Sequence, residues 1–170
     1  MIIIIDGYNF MNASAHFGEF AEIEKNRKRI IDSLVRYHEI KGHPIILVFD
    51  AYKSGGVHET REGTGKIEVI YTRLGETADE KIIDFAKIHR EKALIITADK
   101  EIIKKSENFG SSTLSSEEFT AKLLQTTLME DMPFGKEEDE EENNPFKKHR
   151  GNPRKPSKKE RIKLKKIKKL

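Results

Sequence analysis

Apolar and polar positions alternate in blocks along the chain. Ile2–Ile5 is an unbroken apolar run that closes on Asp6, and "PIILVF" (44–49) is a second that closes on Asp50. Short aliphatic runs without polar interruption predict strands buried on both faces. "KIEVIYT" (66–72) alternates, with Ile67, Val69 and Tyr71 on one face, and predicts a third strand. "ALIITAD" (93–99) predicts a fourth, again closing on an acid, Asp99. Between these runs the period lengthens. Ile23, Ile30, Ile31, Leu34 and Val35 fall at helical spacing within residues 22–41, and Gly42 follows as a stop. Ile82, Ile83, Phe85, Ala86 and Ile88 do the same within residues 77–91. Ser115 and Glu118 have the spacing of a capping box that opens a last helix to about Met129.

Apolar strands alternating with helices predict an α/β fold with a parallel sheet covered on both sides. Ligands of such sheets sit beyond the carboxyl ends of the strands. Two stretches break the pattern. "KSGGVHETREGTG" (53–65) has four glycines and no apolar period, and reads as a mobile loop at the edge that carries Asp50. From Asp131 the residues come in blocks of like charge, which rarely fold alone. The organisation expected is therefore a folded domain over 1–130, an acidic linker over 131–146 and a disordered basic tail over 147–170.

Charge sharpens this division. Residues 147–170 carry thirteen Lys and Arg and one acid, Glu160, a net +12; the chain's total of +3 leaves −9 on the remaining 146 residues. An acidic body suits cations and a basic tail suits polyanions. There are no cysteines, which excludes disulfides, thiolate metal sites and thiol nucleophiles. No apolar run approaches the ~18–20 residues that span a bilayer. The four isoleucines are too short and lack the basic flank of a secretory signal, so a cytoplasmic protein is expected. The six histidines share no ligand spacing.

The candidate chemistry lies in the acids. Asp6, Asp50 and Asp99 end apolar strands, and parallel strands place those ends on one edge. In "GETADE" Thr77 reads as an N-cap with Glu80 three residues on, which puts Asp79 in the first turn of a helix starting at the same edge; Glu76 lies just before the cap. Singly, such acids often serve as turn formers or helix caps. Together they repel one another unless a cation sits between them. Oxygen ligands without His or Cys favour hard ions, Mg²⁺ or Mn²⁺, and such ions suit phosphodiester hydrolysis. Asn9 is read as orienting a carboxylate, touching phosphate or making a local turn, and Tyr8 and Phe10 as packing residues rather than base-stacking platforms.

These residues occur in an order that resembles the YacP-like NYN-domain proteins of the PIN-like nuclease group. The likeness rests on "IIIIDGYN", "ILVFDA", the glycine-rich loop, "EVIYTRLGETADEKI" and "IITAD", and reaches to about residue 128. It implies a PIN-like three-layer α/β/α sandwich with a mostly parallel central sheet, and Mg²⁺- or Mn²⁺-dependent endonucleolytic cleavage of RNA. It places metal carboxylates on Asp6, Asp79 and Asp99, further acids on Asp50 and Glu76, and the first motif's polar residue on Asn9. Some members cleave messenger RNA on translating ribosomes, which the resemblance offers as one option for this chain.

An acidic site needs nearby cations to accept single-stranded RNA. The candidates are Lys53 and Arg61 in the glycine-rich loop, Arg73 before "GETADE", and Lys100 beside Asp99. The basic tail is expected to bind RNA or a ribosome, rather than a membrane, because it has four aliphatic residues and no aromatic after Phe146. The oligomeric state is left open. A phosphorelay receiver with Asp50 as acceptor fits less well, since Gly7 and Tyr8 stand where further acids are needed. A haloacid-type phosphatase fails at Tyr8, where it requires a second aspartate. The remaining alternative is a non-catalytic RNA- or ribosome-binding protein acting through the tail.

Overall fold

The apolar runs stack side by side because each is too hydrophobic on both faces to lie anywhere but inside a sheet. The computed structural model describes residues 1–13, 23–50, 58–64, 67–130 and 157–170. In it β1 (Ile2–Asp6), β2 (Ile45–Phe49), β3 (Thr60–Thr64), β4 (Ile67–Tyr71), β5 (Ala93–Ile96) and β6 (Ser112–Leu114) form one sheet in the order β3-β4-β2-β1-β5-β6. All neighbours are parallel except β3 and β4. The helices are α1 (Gly7–Ala13), α2 (Ile23–Lys41), α3 (Ala78–His89), α4 (Lys100–Asn108), α5 (Ser116–Glu130) and α6 (Lys158–Ile167).

Side-chain alternation divides the sheet between two cores. Ile3, Ile5, Leu47 and Leu94 point to one face, where Phe10, Ile30, Leu34, Tyr37 and Phe119 cover them. Ile4, Ile46, Val48 and Ile95 point to the other, under Ile82 and Ala86 of α3 and Ile102 of α4. The result is a three-layer α/β/α arrangement. Each helix that follows a parallel strand starts at the carboxyl edge and runs back. The first turns of α1, α3, α4 and α5 therefore ring that edge, with the strand ends inside the ring.

Three elements depart from the sequence reading. Residues 60–64, taken above as part of a mobile loop, pair with β4 from Thr60↔Tyr71 to Thr64↔Ile67; of that loop, residues 53–57 and 65 lie outside the described residues. Helix α1 is about two turns long with a glycine and two asparagines, so its sequence carries little helical signal. Gly7 opens it because a Cβ there would sit 2.4 Å from the Phe49 ring. Strand β6 has three residues, too few to show a period.

The largest departure is at the end of the chain. Residues 157–170, expected to be disordered, form α6 and a final turn docked on the domain. Ser157 and Glu160 close a capping box. Lys159 pairs with Glu107 at 3.0 Å, Lys166 donates to the Ala93 carbonyl at 2.6 Å, and the Tyr37 hydroxyl donates to the Leu170 carbonyl at 3.2 Å. Leu170 is 4 % exposed and belongs to the first core. These partners mark where β5 and β6 begin and where α2 ends, so α6 crosses the amino edge of the sheet. The acidic linker and the tail as far as residue 156 lie outside the described residues. Among the described residues no helix is long and apolar enough to cross a membrane.

Candidate active site

Asp6 is the last residue of β1 and is 8 % exposed. One carboxylate oxygen accepts the Asn9 backbone N–H at 3.1 Å, and the other accepts the Thr97 hydroxyl at 3.1 Å. Burial pushes its pKa up to about 6; the facing charges of Asp79 and Asp50 push the same way, and the two hydrogen bonds pull it back. An acid at the centre of the edge is thus held where its charge is poorly solvated.

The other acids arrive from three neighbouring strand ends. Asp50 follows β2 and accepts the Ala78 N–H at 2.6 Å, on the first turn of α3. Thr77 and Glu80 form the capping box expected from "GETADE", which fixes that turn. Asp79 stands one residue further on, exposed, with no hydrogen bond or ion pair among the described residues. Partial desolvation raises its pKa, and the charges of Asp99, Asp50 and Glu101 add to the rise against Lys105. Asp99 caps α4, its Oδ1 accepting from Glu101 at 2.7 Å and Ile102 at 3.2 Å.

Two hydroxyls that the sequence reading passed over bind this group together. Thr97 donates to Asp6 and accepts the Asp99 N–H at 3.1 Å, so one buried side chain fixes two acids. Ser116, fully buried, donates to Asn9 Oδ1 at 2.7 Å, and the Ala98 N–H reaches the same oxygen at 2.9 Å. Asn9 therefore ties the β1–α1 turn to the β5–α4 turn and to the start of α5. Among the described residues its side-chain oxygen meets no carboxylate; it is the Asn9 backbone N–H that reaches Asp6. Nothing in "ITAD" or "SSEE" signals such pairing, because the partners are 91 and 107 residues away.

Glu76 is placed differently from the aspartates. It sits between Arg73 and Lys81, at 3.6 Å from each, and Lys81 also holds Glu59. Arg61 lies on the edge strand β3, paired with Glu59 at 2.6 Å and Glu68 at 2.9 Å. Arg73 and Lys100 are exposed on the acid edge, and Lys53 lies outside the described residues. Lys105, not foreseen, is a cation whose field reaches Asp79.

A cation fits the chemistry of this donor set. Asp6, Asp50, Asp79 and Asp99 offer oxygen alone, and Asp6 and Asp79 both feel the charge of other members of the set. Among the described residues, however, no three acids or histidines stand close enough to hold an ion as placed. Two cavities flank the acids, of about 530 Å³ and 630 Å³, and share Arg73, Gly75 and Glu76.

Known proteins resemble the chain at both levels. It is 33 % identical over 88 residues to the uncharacterized protein YacP of Bacillus subtilis (strain 168), a match covering 51 % of each chain, so it spans about half the length of that relative. Two crystal structures of Rae1 (YacP) from Bacillus subtilis superpose with TM-scores of 0.65 and 0.63 at 24 % and 25 % identity. They cover 76–77 % of this chain and 78–79 % of theirs, and they share its mixed α/β fold around a mostly parallel sheet. The family model of the YacP-like NYN domain matches residues 3–169, well past residue 128 and including the docked α6. The chain belongs to the YacP-like NYN-domain family, a branch of the PIN-like nucleases.

Proposed function

We propose that this protein is a metal-dependent endoribonuclease that hydrolyses single-stranded RNA at the carboxyl edge of its sheet. The observation that carries this reading is the buried Asp6, charged against its environment and facing Asp50 and Asp79. Structural acids are relieved by cations of the protein itself; among the described residues the charges that act on Asp6 are those of two more acids. Asp6, Asp79 and Asp99 would hold Mg²⁺ or Mn²⁺, with Asp50 beside them. When bound, the ion supplies a polarised phosphodiester and a more acidic water. The chain's own residues do the rest. Thr97 and the Asn9 N–H fix both oxygens of Asp6, and Asn9 and Ser116 fix the turns that carry Asp6 and Asp99. Arg73, Lys100 and Lys105 offset the repulsion between this edge and an incoming phosphate backbone. Cleavage of messenger RNA on a ribosome, with the basic α6 against ribosomal RNA, is the more specific form of the same proposal, as is a cytoplasmic setting.

A second reading has its own observation. The acids as placed form no ready-made ion cage, which also suits an RNA-binding protein without catalysis. Cleavage of a single-stranded RNA with Mn²⁺, with and without chelator, decides between them. The expected result is metal-dependent cutting that Asp79→Asn lowers by ~10²-fold or more. Equal cutting by the two proteins removes Asp79 from the site, and RNA binding without any cutting leaves the second reading.

A further inference from the structure

Tyr8 lies in the first turn of α1, two residues after Asp6, and is held from two sides. Its ring meets Phe49 edge to face, with centroids 5.2 Å apart at 74°. The guanidinium of Arg27 lies 5.6 Å from its centroid and donates to its hydroxyl. Arg27 is itself 3 % exposed, paired with Glu24 and stacked on Phe49 and Tyr71 at 5.2 and 5.3 Å. A tyrosine so braced has few rotamers left to lose. Unlike Phe10, which is fully buried, Tyr8 is only half-buried, and it forms a wall of the 530 Å³ cavity.

The rest of that cavity has three properties. Leu74 lines it and is 65 % exposed, an apolar side chain left against solvent in a cavity that the Tyr8 ring also lines. Asp50 lines it too, which makes it continuous with the acid edge. Arg73 stands on the wall it shares with the second cavity and is loosely paired, 3.6 Å from Glu76. A slot with a rigid aromatic wall, an exposed leucine, one cation and two acids, Asp50 and the Arg73-paired Glu76, matches a flat heteroaromatic ring carried on a phosphate chain. Its volume is within the range of ordinary ligand sites, ~300–1,000 Å³.

We propose that the Tyr8–Leu74 cavity is a nucleobase subsite: it stacks one unpaired base of the RNA whose phosphodiester lies at the acids, with Arg73 on the adjoining phosphate. The subsite rests on the nuclease reading for its register and not for its existence. It gives the acid edge an attraction that its charge does not, since a base stacked on an aromatic contributes ~1–3 kcal/mol in nucleic-acid complexes. It also selects against duplex RNA, whose bases are not free to enter.

The test is binding of a labelled single-stranded RNA in chelator, where no cleavage occurs, with one abasic nucleotide walked along the strand. One position is expected to weaken wild-type binding about 10-fold, and Leu74→Ser is expected to remove that position's penalty while retaining the fold. Tyr8→Phe keeps the ring and is expected to behave as wild type; Tyr8→Leu is expected to behave as Leu74→Ser. A penalty spread evenly along the strand, or one unchanged in Leu74→Ser, overturns the subsite even if Mn²⁺-dependent cleavage is intact. A position-specific penalty lost in Leu74→Ser supports it even if no cleavage is found, and in that case the nuclease reading alone falls.

Discussion

The two edges of the sheet each bury a charge against its preference, and they do so in different ways. At the carboxyl edge Asp6 has its pKa raised by burial and by neighbours of its own sign. At the amino edge Lys166 is 8 % exposed, and burial lowers its pKa to about 8. Lys166 is nonetheless answered within the chain: its ammonium meets the Ala93 carbonyl, and Glu91 lends an opposing charge. Asp6 has two hydrogen-bond donors and, among the described residues, only acids among the charges that act on it. The amino edge is a closed structural joint, while the carboxyl edge is left incomplete by the protein alone. An incomplete edge is where a ligand ion and a phosphate have something to contribute.

Substitutions at the two edges should therefore separate stability from activity. The largest effect is expected from Asp6→Asn, which keeps one oxygen to accept the Asn9 N–H, replaces the other with an NH₂ that can donate to the Thr97 hydroxyl, and removes the charge. Cleavage should fall by ~10²-fold or more, while the fold gains about 1–2 kcal/mol at neutral pH. The sign follows from the raised pKa. The native state of the wild type holds a proton up to about pH 6, whereas an unfolded aspartate releases it near 3.8. Stability thus declines as pH rises through that window, so the variant's advantage should vanish below about pH 4. Thermal melts across pH 3.5–7.5 check this; a variant less stable than wild type at pH 7 would show that Asp6 is answered inside the protein after all.

The mirror experiment is Leu170→Ala at the amino edge. Removing a core side chain costs ~2–5 kcal/mol in general, and a chain terminus that can shift should lie near 2. Unfolding midpoints should drop accordingly, with cleavage per folded molecule unchanged. Lost cleavage at full folding would mean that the two edges are coupled. Lys166→Met is subtler. The native ammonium loses its proton near pH 8 and the unfolded one near 10.5, so wild-type stability should rise with pH between these values. The variant's melting curve should be flat there.

The smallest effects concern surface cations. Lys158 and Lys165 on α6, and Lys168 just after it, are exposed at the edge remote from the acids. Changing all three to Gln should lower the salt sensitivity of binding to a long structured RNA by a slope of ~3 at most. Cleavage of a short oligonucleotide that reaches only one edge should hardly change. Arg61→Gln, on a residue already paired with Glu59 and Glu68, should do less still. A strong loss of short-substrate cleavage from either change would place RNA across both edges at once.

Local rules reached far in this chain. The apolar runs of β1, β2 and β5, the Thr77–Glu80 box and the Ser115–Glu118 box all depend on neighbours in sequence, and each stands where the pattern put it. The same rules placed Asp6, Asp50, Asp79 and Asp99 at one edge, because parallel strands leave no other place for their ends. They did not reach α6, whose lysines carry the signal of disorder while Ile167 and Leu170 supply too few apolar positions to outweigh it.

The sequence by itself thus determined the layered α/β architecture, the edge where acids gather, and the absence of thiol chemistry. Only the tertiary structure decided which of those acids is buried, that Thr97 joins Asp6 to Asp99, that Asn9 holds three turns together, and that Tyr8 walls a cavity. It alone decided that a basic tail segment becomes part of the core. The physical reason is range. Period and capping act over a few residues, whereas burial, field and hydrogen-bond partnership depend on groups brought from about 100 positions away.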